Sequence, residues 1–338
     1  MAASDYAILI EGVTKRYPVI KRYREMLRHP FKRQEVTALA GVDLTVQKGE
    51  LFGLLGVNGA GKTTLIKILC TLVYPNEGRA LVNGYDTVRE SWDVRCSVGY
   101  VISDERSFYW RLTGRQNLEF FAVLYNLNKT QAKQRVDSLL DLVGLTKAAG
   151  KMFKDYSTGM RQKMAILRGL LIDPAVLFMD EPTRSLDPAA AHHLREFVIN
   201  EIVQKQGRTV FFSTHNLQEA EMCHHIAILD QGKIKLCGTP VQIREQYSRP
   251  RYWLQLQSYA NHLQELLSAY PGMTHVQAAD KPGGLGKGWE VELASSDGAI
   301  NDLLAYLMQK QVSIEACYPQ KASLEEIFQH LTLKNDPT

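Results

Sequence analysis

Cysteine is scarce in this sequence of 338 residues: Cys70, Cys96, Cys223, Cys237 and Cys317 are odd in number and scattered, and no CxxC occurs. That excludes a disulfide framework and a zinc ribbon, so the five read as free thiols of a reducing compartment. Long apolar runs are also missing. The best, around Leu170 to Met179, is broken by Asp173 and Pro174, short of the roughly 18–20 apolar residues a membrane-spanning helix needs. The opening residues Met1-Ala2-Ala3-Ser4-Asp5 carry no basic stretch followed by an apolar one, so no secretory leader is expected. Charge of one sign is not in excess either. Forty Lys and Arg against 36 Asp and Glu leave +4, too little to argue for a nucleic-acid partner. What is present is ordinary: 45% hydrophobic and 22% charged residues exclude wholesale disorder. A soluble, cytosolic chain is expected, of one large domain or two modest ones.

The first stretch alternates between strand and helix. Ile8-Leu9-Ile10 and Leu39–Val46 read as strands, the second ending at the turn Gln47-Lys48-Gly49-Glu50. Leu51-Phe52-Gly53-Leu54-Leu55 is a short continuous apolar run, which suits a strand buried on both faces. Ala175–Met179, Thr209–Phe212 and Ile226–Leu229 repeat that pattern. A helix with Leu65, Ile68, Leu69 and Leu72 at helical spacing follows the first run. Together these predict an α/β core with a parallel sheet. Between about 103 and 172 only helical periods appear, carried by Leu118 and Ala122, by Val136, Leu139 and Leu140, and by Met164, Leu167 and Leu171, as in an inserted helical subdomain. From residue 248 to 338 the order becomes βαββαβ plus a terminal helix, a ferredoxin-like α+β domain.

The chemistry begins at Gly56-Val57-Asn58-Gly59-Ala60-Gly61-Lys62-Thr63-Thr64, which fits GxxxxGK[ST] between a buried strand and a helix. Glycines let backbone N–H groups close around phosphate oxygens, and the helix N-terminus adds its positive dipole end. Lys62 is placed to reach the β- and γ-phosphates, and the Thr63 hydroxyl to ligate Mg²⁺. Asp180 and Glu181 follow directly on an apolar strand, which delivers them to the sheet edge where open α/β folds bind ligands. Asp180 is expected to hold Mg²⁺ through water, and Glu181 to act as general base on the attacking water.

These residues, joined by Tyr156-Ser157-Thr158-Gly159-Met160-Arg161-Gln162, Ser185-Leu186-Asp187 and Ser213-Thr214-His215 in that order, resemble ABC transporter ATP-binding subunits over residues 1–247. The Ser-Thr-Gly-Met signature looks like that of exporters of lipids, polysaccharides or drugs, and Ser323-Leu324-Glu325-Glu326-Ile327-Phe328 resembles the tail of drug-exporter-like members. The resemblance implies a P-loop core of ABC type, with an antiparallel β subdomain, using ATP and Mg²⁺. It implies that Gly56, Asn58, Gly59, Ala60, Gly61, Lys62, Thr63 and Thr64 hold the phosphates, that Tyr17 stacks on adenine, and that His215 contacts the γ-phosphate. Ser157 and Gly159 would cover ATP held by the opposite subunit, while Ser157 also reads as a helix N-cap. Asp187 matches the loop that couples two sites, or serves only as a cap before Pro188. Two copies are expected to pair head to tail, driving separate membrane permease subunits at the cytoplasmic face of the membrane. The alternative is a soluble ABC-type ATPase acting on nucleic acid or ribosomes.

Two features depart from the family. No glutamine follows the strand Val98-Gly99-Tyr100-Val101; Asp104 or Ser103 would have to supply the oxygen that helps ligate Mg²⁺. A basic insertion over residues 18–35 carries Lys21, Arg22, Arg24, Arg28, Lys32 and Arg33. It reads either as a solvated loop or as a segment lying against an anionic membrane surface or the permease. Cys223-His224-His225 and His192-His193 are read as structural, because adjacent histidines on a helix point about 100° apart. The glycine-rich turn 282–288 leads into a strand and not a helix, and is expected to be a hairpin turn.

Overall fold

The computed structural model describes residues 6–19, 35–102, 107–247, 250–257, 263–280, 287–294, 299–320 and 322–333. Ser103, Asp104, most of the basic insertion and most of the turn 282–288 lie outside these described residues. The chain divides into two compact units, Met1–Pro240 and Val241–Thr338. The sequence pattern changes a few residues later, at 248, because the helix Pro240–Tyr247 carries no new period of its own.

The first unit holds two sheets. Strands β1 (Tyr6–Pro18), β2 (Glu35–Gln47), β4 (Glu77–Val82) and β5 (Tyr85–Asp86) form an antiparallel sheet of order β2-β1-β4-β5. Strands β3 (Leu51–Leu55), β6 (Val98–Ile102), β7 (Val176–Asp180), β8 (Thr209–Thr214), β9 (His225–Asp230) and β10 (Lys233–Gly238) form the second, of order β10-β9-β3-β8-β7-β6. β3 pairs in parallel with β8 and β9, and β7 in parallel with β6 and β8. All five residues of β3 and all six of β8 are buried, as their unbroken sequence runs require. β10 turns back on β9 through Gln231 and Gly232, both at positive φ, the two-residue turn that suits a hairpin. Its alternation of exposed and half-buried residues is too weak to read as a strand beforehand.

A shared core joins the two sheets: Ile8, Ile10, Val13, Val42 and Leu44 meet Phe52, Leu54, Phe178 and Phe211, with Leu65, Ile66, Ile68 and Leu69 of the helix Lys62–Leu69 among them. Phe52 and Phe211 stack at 5.3 Å. Each such side chain contributes roughly 1.5–3 kcal/mol when fully buried. The helix ends at Leu69, because Cys70 caps it and Thr71 takes φ 60°. Leu72, expected on its apolar face, therefore lies beyond it and is exposed.

The helices Gly114–Leu124, Lys129–Leu142 and Thr158–Leu170 occupy the stretch read as all-helical. Thr113 with Gln116, and Asn128 with Gln131, form capping boxes that start the first two. Inside this bundle the Arg168 guanidinium lies 5.0 Å from the Phe108 ring and 5.2 Å from that of Phe121.

The second unit is β11 (Arg251–Gln257), helix Leu263–Ser268, β12 (Met273–Asp280), β13 (Lys287–Leu293), helix Ala299–Gln309, β14 (Ser313–Gln320) and helix Leu324–Leu333. Its antiparallel sheet has the order β12-β13-β11-β14, in which β11 and β12 enclose β13, the ferredoxin-like split unit. Leu254, Leu267, Val291, Leu293, Leu303 and Leu307 form its separate core. Leu263, Leu266, Leu267 and Tyr270 share helical spacing in the sequence, but the first helix stops at Ser268, so Tyr270 lies past its end. Among the described residues no helix is long and apolar enough to cross a membrane.

Candidate functional site

Because β3, β8 and β7 run parallel and side by side, the loops that leave them emerge along one edge. A cavity of about 780 Å³ opens there, lined by Asn58, Gly59, Gly61, Lys62, Thr63 and Thr64 after β3, by Asp180, Glu181, Arg184 and Ser185 after β7, and by Ala38 and Ile102. The loop from β3 needs its glycines. Gly61 holds φ 111°, and a Cβ there would lie 2.5 Å from the Ala38 carbonyl oxygen; one on Gly56 would lie 2.5 Å from that of Leu229.

Lys62 is only 5% exposed. Its Nζ donates to the carbonyls of Gly56 at 2.7 Å and Val57 at 3.1 Å, and lies 3.5 Å from Glu181 Oε1. Burial pushes its pKa below the usual lysine value; Glu181 and Asp180 oppose that push and Arg184 adds to it. The cavity therefore holds a cation that is poorly solvated and only partly neutralised, which favours an incoming anion.

Glu181 sits at φ 46°, unusual for a residue with a side chain. Its N–H donates to both the carbonyl oxygen and the Oγ of Ser213, at 3.2 and 3.1 Å. Ser213 Oγ in turn donates to Asp180 Oδ1 at 2.6 Å. One buried hydroxyl on β8 thus orients both acids that end β7. Around the Glu181 carboxylate, His215 Nδ1 lies 3.5 Å from Oε1 and Arg184 Nη1 3.6 Å from Oε2. A carboxylate so placed can accept a proton from water inside the cavity. Asp180 also raises the pKa of half-buried Tyr100 and of buried Cys70, in each case after the larger effect of burial.

Thr63 and Asp180 present hard oxygen donors to the same cavity. Among the described residues no three His, Cys, Asp or Glu gather as a dedicated metal cage. That donor set fits Mg²⁺, which keeps much of its shell as water and phosphate oxygen.

The remaining residues expected at the site lie elsewhere on this chain. Ser157 is exposed and caps the helix Thr158–Leu170, its Oγ accepting from the Met160 N–H at 3.3 Å. Gly159, two residues on, has open space: a Cβ added there would meet only the Ala190 Cβ, at 3.9 Å. Asp187 caps the helix Pro188–Phe197 by accepting from the Ala190 N–H at 2.9 Å. Tyr17 is the penultimate residue of β1, opposite Val36, with Lys15 Nζ 5.2 Å from its ring, and does not line the cavity. Sequence reasoning placed Ser213 in the Ser213-Thr214-His215 motif without giving it a role, and passed over Arg184. A hydroxyl directly after the apolar run Val210-Phe211-Phe212, at the strand end where the site forms, is the signal that could have marked that role; Arg184 lies within no motif.

Residues 39–184 match the ABC transporter family, and residues 238–332 match the C-terminal domain of DrrA1-3-like ATP-binding proteins. The daunorubicin resistance ATP-binding protein DrrA3 of Streptomyces coeruleorubidus is 31% identical over 330 residues, covering 97% of this chain and 96% of that one. The chain belongs to the ABC transporter ATP-binding family. This ABC subunit is also 35% identical over 204 residues to the ABC transporter ATP-binding protein NatA of Bacillus subtilis, covering 60% of this chain and 82% of NatA. Among solved structures, CbiO1 of Clostridium perfringens, part of the ABC transporter complex CbiONQ, has a TM-score of 0.60 at 25% identity and covers 71% of this chain and 90% of its own. The ABC subunit is thus an ATP-binding ATPase of a transporter, with an additional DrrA-like C-terminal domain.

Proposed function

We propose that this subunit powers an exporter by closing on a second copy of itself around two ATP molecules. The observation that carries this reading is the division of the expected residues. Lys62, Thr63, Asp180 and Glu181 line one cavity, whereas Ser157 and Gly159 are not among its lining residues and would be left to meet ATP held by another copy.

In each site the phosphate loop and Lys62 would bind the triphosphate, and Thr63 and Asp180 would hold Mg²⁺, which supplies positive charge to the phosphate oxygens. Glu181 accepts a proton from the attacking water while its oxygen bonds to the γ-phosphorus and the bond to ADP breaks. His215, beside Glu181, would contact the γ-phosphate. Separate permease subunits would dock on a cleft of about 800 Å³ lined by Trp92, Leu124, Tyr125 and Leu127. Trp92 is 64% exposed, and exposed apolar surface of this kind marks a partner site. The cargo is proposed to be lipid, polysaccharide or drug-like; the daunorubicin resistance named for DrrA3 favours the last. Such a complex would sit at the cytoplasmic face of the membrane. The alternative, action on nucleic acid or ribosomes, finds no strong positive charge to support it.

Glu181→Gln tests the reading, because it removes the base but preserves size. ATP binding is expected to persist while hydrolysis slows on the order of 10²-fold or more. Near-normal turnover would reject Glu181 as the base.

A further inference from the structure

Behind the residues that face the cavity lies a carboxylate that none of the motifs contains. Glu219 is 2% exposed and sits in the one-turn helix Leu217–Ala220. Its Oε1 accepts from Thr183 Oγ1 at 2.5 Å and its Oε2 from Thr214 Oγ1 at 2.6 Å. Thr183 is two residues past Glu181, and Thr214 immediately precedes His215. Arg195 Nη1, from the helix that Asp187 caps, lies 3.5 Å from Oε1. The backbone that carries the carboxylate is itself held in place: the Glu219 N–H donates to the Asn216 carbonyl, and the Glu219 carbonyl accepts from Cys223 Sγ at 3.4 Å.

We propose that Glu219 is a positioning residue for ATP hydrolysis, setting the separation of the Glu181 carboxylate and the His215 imidazole through the two threonines. This rests on the roles given above to Glu181 and His215. The loops that carry them leave different strands, and Glu181 occupies a backbone conformation that its surroundings must enforce. A carboxylate suits the task because it accepts on both oxygens at once. An amide of the same size accepts on one only, and turns N–H groups toward the other hydroxyl or toward Arg195. In a buried site that mismatch shifts the loops instead of being absorbed by water.

Glu219→Gln is therefore expected to lower kcat by about 10- to 100-fold, the usual effect of losing a group that orients a functional residue. KM and equilibrium binding of ATP should stay within about twofold, since Lys62 and the phosphate loop are untouched. Glu219→Asp, with both oxygens retained, should recover part of the loss. In a His215→Ala background the further loss from Glu219→Gln should shrink to less than about threefold, as groups acting as a unit are not additive. A full-sized loss in that background overturns the proposal, as does unchanged kcat in Glu219→Gln. Should Glu219→Gln fail to fold, Thr183→Val and Thr214→Val each remove one contact, and full kcat in both overturns it equally. Glu181→Gln run beside them separates the two ideas. Turnover there defeats the reading of the base, whereas an inert Glu181→Gln beside a fully active Glu219→Gln defeats only the positioning role.

Discussion

At Lys62, burial and charge pull in opposite directions. Desolvation lowers its pKa below the ordinary 10.5, and Glu181, through charge and hydrogen bond, pulls it back in part. The unfolded chain keeps that proton to higher pH, so the folded, nucleotide-free protein gains stability from Lys62 as pH rises from the lowered value toward 10.5. With Lys62 in its proposed role, ATP binding would have the opposite sign, since it would use the ammonium and weaken as pH rises through that lowered value. Glu181→Gln removes the main partner that raises it, so the alkaline loss of ATP affinity should move to lower pH. Titration of nucleotide binding in both proteins checks this, and an unmoved limb would mean the pair does not form in solution. The phosphate loop was legible because its residues are contiguous and each glycine has a local cause. The orienting contact of Ser213, and Glu219 altogether, were not, because their partners Asp180 and Thr183 lie on another strand end, more than thirty positions away.

Helix starts carry much of what the elements do. Ser157 and Asp187 both cap helices; the sequence reads Ser157 as a cap and a signature residue at once, and Asp187 as a site-coupling residue or only a cap, and capping is what the contacts show on this chain. The open space at Gly159 leaves room for a side chain, so Gly159→Asp should fold and bind ATP in its own cavity. Its turnover should be abolished, because the acid would face the triphosphate held by the other copy. Lost nucleotide binding in that variant, read by equilibrium titration, would place the signature within its own subunit's site. Helical periods were legible wherever a face is fully buried, as at Val136, Leu139 and Leu140. They overran at Leu72 and Tyr270, where a left-handed residue or an early stop ends the helix before its apolar spacing does. Strand β4, with three exposed residues at its start, gave no alternation to read.

The whole chain was legible as a nucleotide-binding core followed by a βαββαβ unit, since each has its own period and its own core. A head-to-tail pair makes activity depend on encounter. Turnover per chain should therefore rise with protein concentration in the isolated subunit, approaching a square dependence of total rate when dilute. A strictly linear rate across a wide dilution series would contradict the pairing. The sheet that carries the cavity has a second consequence, in time rather than space. Leu51 pairs with Val210 and Leu55 with Thr214, so the helical bundle between them must be looped out before the central strands meet. Such distant parallel pairing makes for slow folding. The cavity exists only once β3, β8 and β7 are aligned, and ATP can then stabilise only what has already formed. Stopped-flow refolding should be indifferent to ATP, while unfolding in denaturant should slow as ATP is added. A refolding rate that climbed with ATP concentration would instead mean that the strands align ahead of the barrier, with nucleotide acting as a template for the fold.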